Sequence, residues 1–262
     1  MVLCLEKFMP TMKSKDYIPY ENVSPYNTIN QNRLSNTKEA FKNGVAEIQQ
    51  FITDLNMSDR DFNILDVGCA NGEFFYYLNQ IYPKWSKIGI DLTPKFIEVA
   101  NTLNIPNTKF LVEDIFEYAD DNPKTFDILT CFSVIQIFQD PYPILSSLFK
   151  LLKPGGLLIG HGCFNPHNVS VNLRFRDDSV PETEGVWRSD FNQHSQKEIE
   201  QISKEFSDNW KIKEFPFTAD IPKVEGAPAI NNWTETLKDG KKIIVNGANI
   251  INHKAYLVAI KK

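Results

Sequence analysis

Three carboxylates and one glycine loop carry the clearest capacity for chemistry in this chain. Asp66 lies in the apolar run Ile64-Leu-Asp-Val67, Asp91 ends the run Lys87–Asp91, and Asp114 ends the run Phe110–Asp114. Each run has the length and composition of a buried strand. The acids therefore stand at the ends of consecutive strands, which is where open α/β sheets bind their ligands. Directly after the first run the chain breaks at Gly68-Cys-Ala-Asn-Gly72, and a helical pattern resumes at Glu73. Glycines at such a turn let backbone N–H groups approach a ligand without interference from a Cβ. A single aspartate after a strand is commonly a turn residue or helix cap. Three in succession favour a polar ligand held along one edge of a sheet.

The elements that must position these residues follow from periodicity. Phe41, Val45, Ile48, Phe51 and Ile52 repeat at helical spacing and predict a helix from Thr37 to Leu55. Helices are expected at 72–82, 94–103 and about 142–152. A fourth strand is expected at Phe126–Cys131 and a fifth at Gly156–Gly160, after Leu151-Leu-Lys-Pro-Gly-Gly156. This alternation predicts a mostly parallel sheet with right-handed crossovers and helices on both faces. Residues 164–194 show no regular element, and a stretch that long inside a compact domain is usually functional. Ser195-Gln-Lys-Glu198 has the form of a capping box opening a helix. Strands are expected again at Trp210–Phe215 and His253–Ile260.

Length and charge narrow the function. A chain of 262 residues fits a single domain, here 37–262, with a polar, Tyr-bearing segment 1–36 before it. A net charge of -5 and a pI near 5.5 argue against a broad nucleic-acid surface. Cys4, Cys69, Cys131 and Cys163 are too scattered for a disulfide frame or a zinc site and read as reduced thiols. No apolar run reaches the ~18 residues of a membrane span. The expectation is a cytoplasmic protein, monomer or homodimer, with no metal, no membrane and no nucleic acid among its partners.

The ordered series of strand ends, glycine loop and Leu-Lys-Pro-Gly-Gly resembles the class I S-adenosylmethionine-dependent methyltransferases over roughly residues 38–163. The resemblance implies a Rossmann-like, seven-stranded, mostly parallel sheet closed by a C-terminal antiparallel hairpin. It implies S-adenosylmethionine as cofactor, with Gly68, Ala70 and Gly72 forming the loop. Asp66 would then meet the methionine ammonium, Asp91 the ribose, and Asp114 and Ile115 the adenine, with Leu92 a further cofactor-binding residue. Phe132 would line the methyl-donating end, and Arg33 would close over the cofactor carboxylate as part of a lid. Ala70 departs from the family's G-x-G-x-G pattern, which has glycine there. A nicotinamide site would instead need G-x-G-x-x-G, which the loop lacks.

The acceptor is expected to be a small molecule methylated on oxygen or nitrogen. The Asp/Asn-Pro-Pro-Tyr motif of base-methylating relatives is absent after the fourth strand, where the chain reads Cys131-Phe-Ser-Val-Ile-Gln136. The expected acceptor residues are Tyr20, Tyr26, Arg174, Arg176, Trp187 and Arg188. Three arginines in one insertion suit an anionic acceptor, phosphorylated or nucleotide-linked, unless Arg174 and Arg176 merely pair with Asp177 and Asp178 on a solvated face. Val186-Trp-Arg, Asn192-Gln-His-Ser195 and Asn232-Trp-Thr234 resemble bacterial methyltransferases of surface-sugar and small-metabolite pathways. His167 and His194 are the candidate bases. The contrasting reading is a regulatory protein that binds the cofactor without catalysis.

Overall fold

A computed structural model describes residues 31–57, 60–179, 187–214, 220–225 and 229–262, with side chains from residue 41 onward. Tyr20, Tyr26, the side chain of Arg33 and all of the expected lid before residue 31 lie outside the described residues.

The chain runs α1 (Gln31–Asp54), β1 (Asn63–Val67), α2 (Glu73–Asn79), β2 (Ser86–Asp91), α3 (Pro94–Thr102), β3 (Thr108–Val112), α4 (Ile115–Asp121), β4 (Phe126–Phe132), α5 (Pro141–Leu151) and β5 (Leu152–Asn165). The short strands β6 (Arg174–Phe175), β7 (Arg188–Ser189) and β8 (His194–Ser195) follow. Then come α6 (Gln196–Phe206), β9 (Asn209–Glu214), β10 (Trp233–Thr236), β11 (Lys242–Val245) and β12 (Lys254–Ile260). The main sheet has the order β3-β2-β1-β4-β5-β12-β9, with β8 attached to β5. The pairs among β1–β5 are parallel, while β12 runs antiparallel to both β5 and β9.

Successive strand residues point to opposite faces, and both faces are apolar. Ile64, Ile128, Leu157 and Ile159 pack with residues of α1, α2 and α3, whereas Leu65, Leu129 and Leu158 pack with α4, α5 and α6. This is why the inner strands read as unbroken apolar runs. Helix starts follow local chemistry. Asp140 accepts from the Tyr142 N–H at 2.9 Å with Pro141 in the first turn of α5, and Ser195 accepts from the Glu198 N–H at 3.1 Å to open α6.

Some boundaries differ from expectation. The first helix begins at Gln31 rather than Thr37, so Arg33 lies inside α1 and not in a segment preceding it. The third strand stops at Val112, and α4, seven residues long, follows at once. Segment 164–194 is not structureless: β6 pairs with β7, Val171 bridges Gln193, and β8 joins β5. β9 and β12 pair on the sheet edge as the C-terminal hairpin would, but the β10–β11 hairpin intervenes between them in sequence. Among the described residues no helix is long and apolar enough to cross a membrane.

Candidate active site

A cavity of about 370 Å³ opens at the carboxyl ends of the parallel strands, large enough for a small organic ligand. Its floor is the turn after β1. Gly68 has φ +72°, and a Cβ there would collide with Val134. The turn is tied to β2 through its backbone, since the Gly68 and Cys69 N–H groups both donate to the Ile90 carbonyl. Ala70 holds φ +46°, the left-handed region that glycine adopts freely and alanine only at a cost.

Asp91 organises the loop. One carboxylate oxygen accepts from the Ala70 N–H at 3.0 Å and the other from the Thr93 N–H at 2.9 Å. These bonds fix the Asp91 carboxylate at the edge of the cavity, which it lines. Asp66 is different. It is 3% exposed, and the Thr130 hydroxyl donates to it at 2.7 Å. Burial pushes its carboxyl up to about 7, the Thr130 bond offsets part of this, and the Asp91 charge adds to it. Among the described residues a neutral hydroxyl answers Asp66 and no cation does, a setting that favours either a bound proton or a cationic partner.

The cavity brings together Asp66, Gly68, Ala70, Asp91, Leu92, Ile115 and Phe132 of the expected cofactor residues. Gly72 stands just behind, at the start of α2 with φ +76° and its Cα against Phe110. Asp114 is placed otherwise. Its carboxylate caps α4, accepting from the Phe116 N–H at 2.8 Å, and its neighbours Glu113 and Ile115 are the residues that line the cavity.

Neither expected base faces the cavity. His194 is 1% exposed, with Nε2 3.3 Å from the Ile135 carbonyl, and burial holds its imidazole below its ordinary range. It secures the turn after β4 from behind. His167 lies on the exposed turn after β5, beside His253. The histidine that does line the cavity is His161, on β5. Its Nδ1 lies 3.1 Å from Ser133 Oγ, and the Ser133 N–H donates to the His161 carbonyl at 2.8 Å. Burial first, and the Lys254 charge second, push its imidazole down to about 3, so it is uncharged at neutral pH. Ser133 itself holds φ +62°, strain of the kind that gathers at ligand sites.

The arginines also sit elsewhere. Arg176 pairs with Asp178 at 2.7 Å and lies over the ring of Trp187, which is itself 53% exposed. Arg174 and Arg188 belong to the β6–β7 ribbon, outside the cavity lining. The far wall is built from Gln136, Asp190, Phe191, Asn232 and Lys254, which sequence reasoning did not single out. Asp190 and Phe191 do fall in the 164–194 segment expected to be functional, and Asn232 carried a signal through the Asn232-Trp-Thr234 resemblance. Lys254 reaches the cavity because β12 is antiparallel, which puts its first residue at the carboxyl edge of β5, opposite Cys163.

The sequence profile of the family described as Methyltransferase domain matches residues 58–241, more than half of the chain. Malonyl-acyl-carrier-protein O-methyltransferase 1 of Ilyobacter polytropus is 31% identical over 137 residues, 49% of this chain and 49% of that one. Phosphoethanolamine N-methyltransferase 1 of Zea mays is 36% identical over 133 residues, 48% of this chain and 26% of that one. This chain thus spans half or less of the length of these curated relatives. Among solved structures, the plantazolicin methyltransferase BpumL in complex with SAH superposes with a TM-score of 0.54 at 18% identity, covering 92% of this chain and 89% of that one. That likeness shows the fold. With the profile match, it establishes that the chain belongs to the class I S-adenosylmethionine-dependent methyltransferase family.

Proposed function

We propose that this protein binds S-adenosylmethionine and transfers its methyl group to an oxygen or nitrogen of a small molecule. The observation that carries this is Asp66, a buried carboxylate with no cationic partner among the described residues, on the floor of a cavity whose loop backbone is held by Asp91. The residues present suit the cofactor. Asp66 would take the ammonium, Asp91 the ribose hydroxyls, and Ile115 would pack on the adenine, with Leu92 beside them in the lining. Phe132, packed edge-on against Phe41 and Phe74 at 5.6 and 5.0 Å between ring centres, would exclude water from the reacting end.

When bound, the cofactor supplies an electrophilic methyl on a sulfonium. The chain's task is then alignment, which can supply about 7–11 kcal/mol of the barrier. An imidazole uncharged at neutral pH, pinned through Ser133, can accept a hydrogen bond from the acceptor's O–H or N–H and orient its lone pair. His161 fills that position where His167 and His194 do not. The relative named for phosphoethanolamine methylation supports a small acceptor without naming this one.

The test is incubation with methyl-labelled S-adenosylmethionine and a fractionated metabolite extract. A labelled small molecule is expected. Saturable cofactor binding with no labelled product in any fraction would replace the enzyme by the regulatory, cofactor-binding reading.

A further inference from the structure

Three of the acids lining the cavity stand on one side of the sheet. Asp66 and Asp91 stand at the ends of β1 and β2, and Glu113 directly follows β3. Lys254 begins β12, three strand positions from β1 by way of β4 and β5, which at about 4.8 Å per strand is roughly 14 Å. Among the described residues lining the cavity, Lys254 is the one lysine, and no arginine joins it.

Some lysines of this fold answer carboxylates, while Lys87 and Lys261 end on backbone carbonyls. Lys211 and Lys213 both meet Glu47, and Lys153 meets Asp127. Lys254 instead donates to an amide oxygen, Gln136 Oε1, at 2.6 Å. An ammonium has three N–H bonds, and Gln136 takes one of them. The amide's orientation is fixed from both ends: its oxygen faces Lys254 and the Cys163 thiol, and its Nε2 donates to Asp190 Oδ1 at 3.2 Å. Gln136 is 3% exposed, so this connection is a built feature of the cavity wall. It holds a positive and a negative group side by side with a neutral spacer between them. The Lys254 charge also reaches His161, where it helps to keep the imidazole uncharged.

We propose that Lys254 anchors a carboxylate or phosphate group carried by the methyl acceptor, with Gln136 as the positioning residue that fixes the ammonium and holds Asp190 apart from it. This rests on the methyl-transfer reading and gives it a substrate class. An anion on Lys254 would supply the kind of charge partner that Lys153 finds in Asp127 and Lys213 in Glu47. It also lies across the sheet from Asp66, Asp91 and Glu113, so those acids do not repel it, and Asp190 is engaged by Gln136.

The test uses the whole chain loaded with S-adenosylhomocysteine and titrated by calorimetry with malonate and with inorganic phosphate. At least one anion should bind saturably, weaken tenfold or more in Lys254→Met, and recover in Lys254→Arg, while S-adenosylhomocysteine affinity stays unchanged. Lys254→Gln, which keeps a donor for Gln136, replaces the methionine variant should that one fail to fold. Malonate alone binding assigns a carboxylate acceptor, and phosphate alone a phosphate ester. Saturable binding of neither anion to the wild type, or undiminished binding to the lysine variants, overturns the proposal. In the labelling experiment, a methylated product that passes uncharged through an anion exchanger overturns it too, yet leaves methyl transfer standing. Lys254-dependent anion binding without any labelled product would do the reverse.

Discussion

The Thr130 hydroxyl donates to Asp66 across the β1–β4 pair, at 2.7 Å, and it is a neutral donor where a buried carboxylate, once ionised, calls for a cation. Asp66 is therefore the point where ligand binding, pH and stability meet.

The pH dependence follows in sign. The Asp66 carboxyl is raised from 3.8 to about 7 in the folded chain. The folded state then binds the proton more tightly than the unfolded state, so this group's contribution to stability is complete below pH 3.8 and is lost as pH rises through about 7. A cationic ligand reverses the preference, because it needs the ionised form. S-adenosylmethionine affinity should rise from pH 6 to pH 8 with release of up to one proton, read by calorimetry in buffers of different ionisation enthalpy. Asp66→Asn should raise the melting temperature of the ligand-free protein at pH 8 and weaken cofactor binding at least tenfold. Unchanged affinity in that variant would remove Asp66 from the site.

Asp91→Asn should also weaken binding, by ~1.5–3 kcal/mol for lost charge-assisted bonds. The same change weakens the ties to Ala70 and Thr93. Amide exchange at those two N–H groups should quicken along with the loss of affinity. Affinity at the wild-type level would place the ribose elsewhere.

Ala70 and Gly68 should respond oppositely to exchange of the same methyl group. Ala70→Gly relieves a left-handed alanine, worth about 1 kcal/mol before the glycine entropy offset, and should raise the melting temperature slightly without weakening the cofactor. Gly68→Ala places a Cβ at φ +72° into Val134 and should lower both stability and affinity. A destabilised Ala70→Gly protein would show that the loop does not carry this strain.

His161 should leave no mark on activity near its usual titration range. With its imidazole held down to about 3, His161 should leave no limb near 6.5 in the kcat/KM profile of Asp66→Asn, the variant that removes the Asp66 inflection from the pH 5 to 9 range. Ser133→Ala should lower kcat more than it raises KM, since it frees the ring to turn. A clear limb at 6.5 in Asp66→Asn would mean that another histidine governs turnover.

Much of this was legible in the chain. The apolar runs of β1, β2 and β4 state their own burial, and Asp66 and Asp91 are marked by standing at their ends. Asp114 misled because one residue type serves two purposes: its distance from β3 and the Phe116 N–H make it the cap of a seven-residue helix, and Glu113 turns to the cavity instead. His161 was hidden by position, a polar residue within an apolar strand that looks structural until Ser133 is seen to meet its ring. Lys254 could not be found from spacing. Its place depends on the direction of β12, which nothing within Lys254–Ile260 specifies. The arginines were read from composition alone, and Asp178 accounts for Arg176 locally.

The two walls of the cavity differ in how far apart their residues lie along the chain. The loop after β1, the ends of β2 and β3 and the turn after β4 fall between Asp66 and Phe138, whereas the opposite wall needs His161, Asp190, Asn232 and Lys254 to converge. Shorter loops close sooner and at lower entropic cost. In refolding, the cofactor wall should gain amide protection before the wall that faces the acceptor, so a chain still acquiring its specificity could already be clasping its methyl donor.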